Sequence, residues 1–313
     1  MIKKKFKIFL AGHNGMVGSS ILRKLKLNNY INIHLVDKKK LNLLDQKKVY
    51  KYLKRIKPKI VIIAAARAGG IYANSTNKAK FIFENLQIQN NLIHGSYLAG
   101  VKNLIFLGSS CVYPKDMSKP INEDALLSGK LELTNDSYAI SKIAGLTMCR
   151  DYSNNYKLNY KSLMPTNLYG PGDNYDSLNS HFFPALIKKI YNAKLKNKKK
   201  ITLWGSGNPK RELMYVDDLA DAVIYFMNKK FKEAYLNIGT GKDYSVKWYA
   251  NFVSEKLNYK VFFDFDKSMP GGTKRKVLNT KLSQKYDWMP KISLNEGFKL
   301  TFKDFLRKKL YKS

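Results

Sequence analysis

The sequence predicts an α/β fold in which a doubly wound, Rossmann-type parallel sheet is followed by a smaller, mixed α/β domain. Short apolar runs alternate with helical periods over the first half of the chain, and a glycine-rich turn directly follows the first run. This alternation loosens beyond residue 174. We therefore expect a dinucleotide-binding domain over residues 1–165 and a substrate-binding domain over 166–313, with a segment near 212–240 returning to the first sheet.

The pattern of apolar residues justifies each element in turn. Four runs that are apolar on both faces, as buried parallel strands are, lie at 6–12, 31–36, 59–66 and 103–110. The helical spacing of Val49, Leu53 and Ile56 after the capping residue Asp45 predicts one helix, and a second is expected at 81–93. Further along, we expect a strand from 160 into a Gly/Pro/Asn loop, a strand at 201–207, and helices at 184–195, 216–228 and 247–258.

The composition limits the class of protein. The chain has 313 residues and a net charge of +34, from 57 basic and 23 acidic side chains. Because the lysines are spread along the chain, we interpret the charge as a compositional bias and expect no nucleic-acid or membrane partner; such a role is the alternative. The segment MIKKKFKIFLAGHNG is interpreted as a first strand and not a signal peptide. With only two cysteines and no apolar run near the ~20 residues of a membrane span, we expect a reduced, cytoplasmic protein.

Glycines recur at every third position of the segment GHNGMVG, at Gly12, Gly15 and Gly18. Between a strand and a helix, glycines let backbone N–H groups approach a pyrophosphate and direct the helix N-terminus towards it. We interpret this turn as a dinucleotide site, and the alternative is an ordinary tight turn between a strand and a helix.

The end of the second predicted strand carries charges of both signs. Asp37 is the residue type that binds a ribose 2′-hydroxyl, whereas Lys38 and the two lysines after it favour a 2′-phosphate. We predict NADPH as the cofactor, with a modest preference over NADH. A solvated basic turn is the alternative.

Two further segments carry groups suited to acid–base chemistry. In SYAISK, Tyr138 and Lys142 are four residues apart and share a helix face, where an ammonium group would lower the pKa of the phenol. In FLGSSCVYP, Ser109 and Cys111 follow a strand, at the edge where α/β proteins bind ligands. The alternative is that this segment is only a strand-end turn and that Cys111 is a small core residue.

Together, these segments resemble the extended short-chain dehydrogenase/reductase family and, among its members, the GDP-L-fucose synthases. The resemblance covers nearly the whole chain and includes AAARAGGIYAN, MPTNLYGPGDN, NSHFFPALI, LWGSGNPKRE and LNIGTG. It implies a bifunctional enzyme that epimerises GDP-4-keto-6-deoxy-D-mannose at C3 and C5 and then reduces C4 with NADPH, giving GDP-L-fucose. It also implies a homodimer that packs through helices near 80–98 and 139–155.

The resemblance also implies a role for each candidate residue. Ser109 would hold the 4-keto oxygen, Cys111 would be the epimerisation base and His181 the matching acid, while Tyr138 with Lys142 would supply the proton for reduction. No metal is expected, and Cys149 is expected in the core. The cofactor would contact Gly12, Asn14, Gly15, Met16, Val17, Gly18, Lys38, Ala64, Ala66, Tyr138, Lys142, Pro165, Asn167, Leu168 and His181. The substrate would contact Asn167, Lys189, Trp204, Arg211, Arg275 and Lys276.

Three positions depart from the family pattern. Gly271, in the segment GGTKRK, stands where an aspartate is frequent. Asn14 and Lys38 stand where family members often carry arginine, whose planar group binds a 2′-phosphate through two hydrogen bonds. Three alternative functions stay open. They are a GDP-keto-sugar epimerase/reductase of the colitose type, an NAD-linked nucleotide-sugar 4-epimerase that would not need Cys111 with His181, and a non-catalytic Rossmann protein that binds nucleotides or RNA.

Overall fold

The computed structural model describes residues 3–176, 179–269 and 272–310, and its largest sheet has six strands. The strands are β1 (Ile8–Ala11), β2 (Ile33–His34), β3 (Ile60–Ile63), β4 (Asn103–Leu107), β5 (Asn159–Pro165), β6 (Asn167–Tyr169), β7 (Lys200–Trp204), β8 (Lys210–Tyr215), β9 (Tyr235–Ile238), β10 (Asp243–Ser245), β11 (Phe262–Asp266) and β12 (Arg275–Lys276). The helices are α1 (Met16–Leu27), α2 (Gln46–Ile56), α3 (Ile71–Thr76), α4 (Lys78–Leu98), α5 (Asp136–Tyr156), α6 (Phe182–Leu195), α7 (Val216–Asn228), α8 (Val246–Lys256), α9 (Lys281–Lys285) and α10 (Leu294–Leu310).

The six strands of the main sheet are all parallel and lie in the order β2-β1-β3-β4-β5-β9. Because successive side chains of a strand point to opposite faces, β1 contributes to two cores. Ile8 and Leu10 pack with residues of α1 and α7, whereas Phe9 and Ala11 pack with residues of α2, α4 and α5. The predicted fold class, a doubly wound Rossmann-type sheet, is confirmed.

The predicted elements hold with one marked difference in length. The Asp45 carboxylate accepts a hydrogen bond from the Lys48 amide at 3.0 Å and begins α2 as expected. The run predicted as a strand at 31–36 forms only the two-residue strand β2. This strand lies at the edge of the sheet, with β1 as its single neighbour, and Ile31 is 80% exposed. Little apolar surface is therefore buried to stabilise a longer strand.

The second half of the chain contributes both to the main sheet and to a separate core. Helix α7 packs on α1, and β9 pairs with β5. The other later elements form a four-stranded sheet around β8, a parallel pair β7–β11, and an apolar cluster that involves α6, α8 and α10. The division into domains at residue 165 stays a prediction. Within the described ranges, no helix is both long and apolar enough to cross a membrane.

Candidate active site

A cavity of about 1030 Å³ lies between the carboxyl edge of the main sheet and the smaller core. Its walls extend from the start of α1, past the ends of β3, β4 and β5, to α6 and β7. Eighteen of the predicted site residues line it: Gly15, Met16, Val17, Gly18, Ala64, Ala66, Ser109, Cys111, Tyr138, Lys142, Pro165, Asn167, Leu168, His181, Lys189, Trp204, Arg211 and Lys276. The other four, Gly12, Asn14, Lys38 and Arg275, do not form part of its wall.

The glycine turn is shaped to hold a ligand at the N-terminus of α1. Gly12 has a φ of 89°, and a Cβ atom at this position would lie 2.6 Å from the main-chain nitrogen of Ala65. A Cβ atom on Gly18 would collide with the main chain of Gly12. Gly15 precedes α1 and provides no side-chain hydrogen bond to its first N–H groups. Those donors are therefore available to an anion, and the turn fits a dinucleotide pyrophosphate.

Tyr138 and Lys142 lie on one face of α5, but they do not interact as the sequence predicts. The Lys142 ammonium donates a hydrogen bond to the Leu107 carbonyl at 2.7 Å and lies 5.8 Å from the centre of the Tyr138 ring. Burial lowers the pKa of Lys142 to about 8. Burial and the neighbouring Cys111 raise the pKa of Tyr138, and the Ser109 hydroxyl only partly opposes this. The expected lowering of the Tyr138 pKa by Lys142 is therefore wrong for this structure, because Lys142 is directed to the main chain of β4.

Cys111 lies in a short 3-10 helix, Ser110–Val112, immediately after β4. The Ser109 hydroxyl accepts a hydrogen bond from the Cys111 main-chain amide at 3.2 Å, which holds the Ser109 side chain against the main chain of Cys111. Two donors face the sulfur: Lys276 Nζ and Asn135 Nδ2 each lie 3.5 Å from Sγ. A cation and an amide at this distance stabilise negative charge on sulfur. Lys276, which the resemblance assigns to the substrate, thus lies against the candidate base.

His181 and Arg211 add to the electrostatics around this thiol. His181 directly precedes α6 and is accessible to solvent within the cavity. Partial desolvation of the ring inside the cavity, with a contribution from Lys276, lowers the pKa of His181. Burial also lowers the pKa of Arg211, while Cys111 and Glu132 oppose that change. One part of the cavity therefore holds the Cys111 thiol, the His181 imidazole and the donor groups of Lys276, Arg211 and Asn135.

The residues expected to bind the sugar nucleotide differ in their surroundings. Asn167 donates to the Glu212 carbonyl at 3.0 Å, and Lys189 donates to the Thr202 carbonyl at 2.7 Å. Trp204 is 37% exposed at the cavity wall. Arg275 is turned away: its guanidinium forms a two-point ion pair with Asp243 at 2.7 and 3.1 Å. The structure thus does not bring Arg275 to the cavity with the other candidates.

Sequence reasoning missed several polar residues of the cavity wall. Asn135, beside Tyr138, contacts Cys111, and Glu132 lies three residues before it. Four buried polar atoms of the wall have no hydrogen-bond partner among the described residues: Asn74 Oδ1, Asn135 Oδ1, Asp173 Oδ2 and Ser180 Oγ. Polar atoms of this kind can hydrogen-bond a polar ligand or an ordered water. The only signal in the sequence was their position next to recognised segments, which does not separate them from loop residues.

Comparisons with known proteins agree with this geometry. The "NAD dependent epimerase/dehydratase family" matches residues 8–239. A GDP-L-fucose synthase of Sinorhizobium fredii is 44% identical, with 96% of this chain and 95% of the relative covered. GDP-L-fucose synthase 1 of Arabidopsis thaliana is 43% identical over 98% of this chain and 95% of its own. A GDP-L-colitose synthase of Yersinia pseudotuberculosis is 40% identical, covering 97% and 99%.

Two solved structures from Campylobacter jejuni are similar throughout. One is a GDP-mannoheptose C4 reductase with NADP bound, which is 34% identical with a TM-score of 0.87. The other is a GDP-D-glycero-L-gluco-heptose synthase in the presence of NADPH, 32% identical with a TM-score of 0.89. Each alignment covers 97% of this chain and 99% of the other. The chain therefore belongs to the NAD dependent epimerase/dehydratase family and, within it, to the GDP-L-fucose synthases.

Proposed function

We propose that the chain is a bifunctional epimerase/reductase that converts GDP-4-keto-6-deoxy-D-mannose into GDP-L-fucose with NADPH. The observation that carries this proposal is the position of the Cys111 thiol, 3.5 Å from the Lys276 ammonium, in the cavity that also holds Ser109, Tyr138 and His181. Besides the hydride donor, reduction of a ketone needs only groups such as Ser109 and Tyr138, which bind and protonate the ketone oxygen. The thiol and the imidazole are accounted for by an additional step of proton exchange on carbon.

Epimerisation begins when a proton is removed from carbon. The hydrogens at C3 and C5 are acidic because the neighbouring 4-keto group delocalises the charge left behind. Cys111, as thiolate, removes the proton from one face, and Ser109 and Tyr138 stabilise the oxyanion. His181 returns a proton to the opposite face. Because the pKa of His181 is lowered, the imidazole must take up a proton before each delivery.

Reduction uses the same ketone site. When bound beside the glycine turn, NADPH would supply a hydride for C4. Tyr138 hydrogen-bonds the C4 oxygen and gives it a proton, and its raised pKa keeps the phenol protonated until the alkoxide forms. Lys142 donates a hydrogen bond to the Leu107 carbonyl at the end of β4, and so holds α5, which carries Tyr138, against this strand.

At the other end of the cavity, Trp204 stacks on the guanine ring, while Lys189 pairs with the diphosphate. The net charge of +34 favours the approach of this anionic substrate. The GDP-L-colitose synthase relative makes a dideoxy keto sugar the second candidate substrate. The same residues would act on it, since the C4 ketone and its neighbouring carbons are retained.

The proposal is tested by incubating the protein with GDP-4-keto-6-deoxy-D-mannose and NADPH in D₂O and identifying the product by NMR. We expect GDP-L-fucose with deuterium at C3 and C5. His181→Asn should still exchange these hydrogens for deuterium, because the thiol can return a deuteron to the same face, but it should lose the inverted product. A product that is reduced at C4 without deuterium at either carbon would contradict the epimerase assignment.

We further propose a cytoplasmic homodimer with a Rossmann domain over 1–165 and a GDP-sugar domain over 166–313. The outer face of α4 and α5 supports the dimer. It exposes apolar side chains on both helices: Phe83 (62%), Leu98 (41%), Ile140 (47%) and Tyr156 (47%). Burying such a face in a two-fold contact is favourable. Light scattering on a size-exclusion column should give twice the 36.0 kDa chain mass, and Tyr156→Glu should shift it towards the monomer.

A further inference from the structure

Asp37 is a charged residue of the cofactor end that the proposed function leaves unused. It follows β2, the strand beside β1, and so lies next to the glycine turn. Its carboxylate Oδ1 accepts a hydrogen bond from Asn14 Nδ2 at 2.8 Å and lies 3.4 Å from His13 Nε2. Both partners belong to the glycine turn, and the Asp37 side chain remains 61% exposed. The turn therefore holds one carboxylate oxygen in place and leaves the group accessible.

This carboxylate is ionised at neutral pH. The Asn14 hydrogen bond lowers the pKa of Asp37 most, with smaller contributions from His13 and Lys40. In Rossmann-type folds, an acidic residue about 20 positions beyond the glycine turn binds the ribose 2′-hydroxyl of the cofactor. Asp37 follows Gly18 at 19 positions. A carboxylate there accepts a hydrogen bond from the hydroxyl but repels a 2′-phosphate dianion.

The polar and basic groups nearby offset this repulsion only in part. The Asn14 amide donates to Asp37 itself. Lys38 is exposed and acts on Glu84, whose pKa it helps to lower, although Arg67 is the main partner of Glu84 at 2.6 Å. A lysine also contacts a phosphate as a point charge, without the paired hydrogen bonds of arginine.

We propose that Asp37 determines the cofactor preference of this chain: held by Asn14 and His13, its carboxylate binds the ribose 2′-hydroxyl, so the protein uses NADH alongside NADPH. This inference rests on the proposed function, because it concerns the same reductase. Lys38, Lys39 and Lys40 still attract a 2′-phosphate, which accounts for use of both cofactors in place of NADH alone. Asp37 acts on the adenosine half of the cofactor and takes no part in the hydride step.

The test measures binding without the sugar substrate. Isothermal titration of the protein with ADP-ribose and with 2′-phospho-ADP-ribose should give dissociation constants within about tenfold of each other, a gap below about 1.4 kcal/mol. Asp37→Asn should shift the ratio at least about tenfold towards the phosphorylated ligand. Asp45→Asn is the control: it makes the same change in charge and keeps a residue type that caps α2.

Each outcome decides the proposal. A wild-type preference of more than about 100-fold for the phosphorylated ligand would overturn it, as would an unchanged ratio in Asp37→Asn. The protein could bind both ligands in the expected ratio and still fail to turn over the keto sugar. That result would contradict the proposed substrate and support Asp37 as the residue that determines cofactor preference. Binding of neither ligand would contradict both. The ratio of kcat/KM for NADPH and NADH, measured on the same variants, should change in parallel.

Discussion

Replacing Cys111 by serine should separate the two activities of the cavity. Deuterium exchange at C3 and C5 should collapse, because a hydroxyl is a much weaker base than a thiolate at neutral pH. Reduction at C4 should continue, since the residues that serve it are retained. The product should then be a GDP-6-deoxyhexose that keeps the starting configuration at both carbons.

The structure sets the size of this effect. The Cys111 sulfur has Lys276 Nζ and Asn135 Nδ2 at 3.5 Å, and serine cannot use that cationic setting to hold a negative charge at pH 7. Loss of a positioned general base costs about 10²–10⁴ in rate. The Lys142 contact with the Leu107 carbonyl at 2.7 Å does not involve the sulfur, so the reductive groups keep their positions.

The assay follows both steps in one sample. NADPH oxidation is recorded by absorbance, while NMR in D₂O reports deuterium uptake and the configuration of the product. Cys149→Ser is the matched control: that thiol is fully buried in the core beside Ser162, as expected for a structural cysteine, and the variant should keep both activities. Deuterium exchange at the wild-type rate in Cys111→Ser would refute the reasoning and indicate that Cys111 only packs against its neighbours.

Three further changes test other parts of the site. Tyr138→Phe should reduce NADPH oxidation at least about 100-fold, since the alkoxide loses its proton donor, and near-normal turnover would contradict that role. Lys276→Met should slow deuterium exchange about 10–100-fold, because the thiolate loses its cation, while reduction of the ketone persists. Asp173→Asn should stabilise the protein at pH 8 but not at pH 4, as thermal unfolding can show. Burial raises the pKa of Asp173 from 3.8 to about 7, so its contribution to stability is present below pH 3.8 and is lost as the pH rises through 7. Equal pH dependence in both proteins would contradict this reasoning.

The sequence predicts the sheet well because burial leaves a direct signal in it. Strands β1 and β3 are buried along their whole length, and their apolar runs identify them without reference to the rest of the chain. The edge strand β2 has no such protection and shortens. The thiol at the end of β4 could be located too, because strand ends in this fold are where ligands bind.

The contacts of the site could not be predicted, because they join distant parts of the chain. Lys276 reaches Cys111 across 165 positions of sequence. Arg275 and Lys276 are adjacent in β12, and adjacent residues of a strand point to opposite faces. The segment GGTKRK therefore offers two cations but does not tell which one faces the cavity. The structure settles this through register: Arg275 pairs with Asp243, and Lys276 faces the thiol.

The two proton-transfer tasks of the proposed reaction require groups with opposite resting states. An epimerisation base must be without its proton at neutral pH, whereas the donor for reduction must keep its proton until hydride has reached C4. One environment cannot provide both. The chain places the Lys276 ammonium at the sulfur and the Lys142 ammonium on the Leu107 carbonyl, while burial raises the pKa of Tyr138. Tyr138 is thus a poor base and a retained acid. Epimerisation has to precede reduction for a separate reason: reduction removes the ketone that makes C3 and C5 acidic.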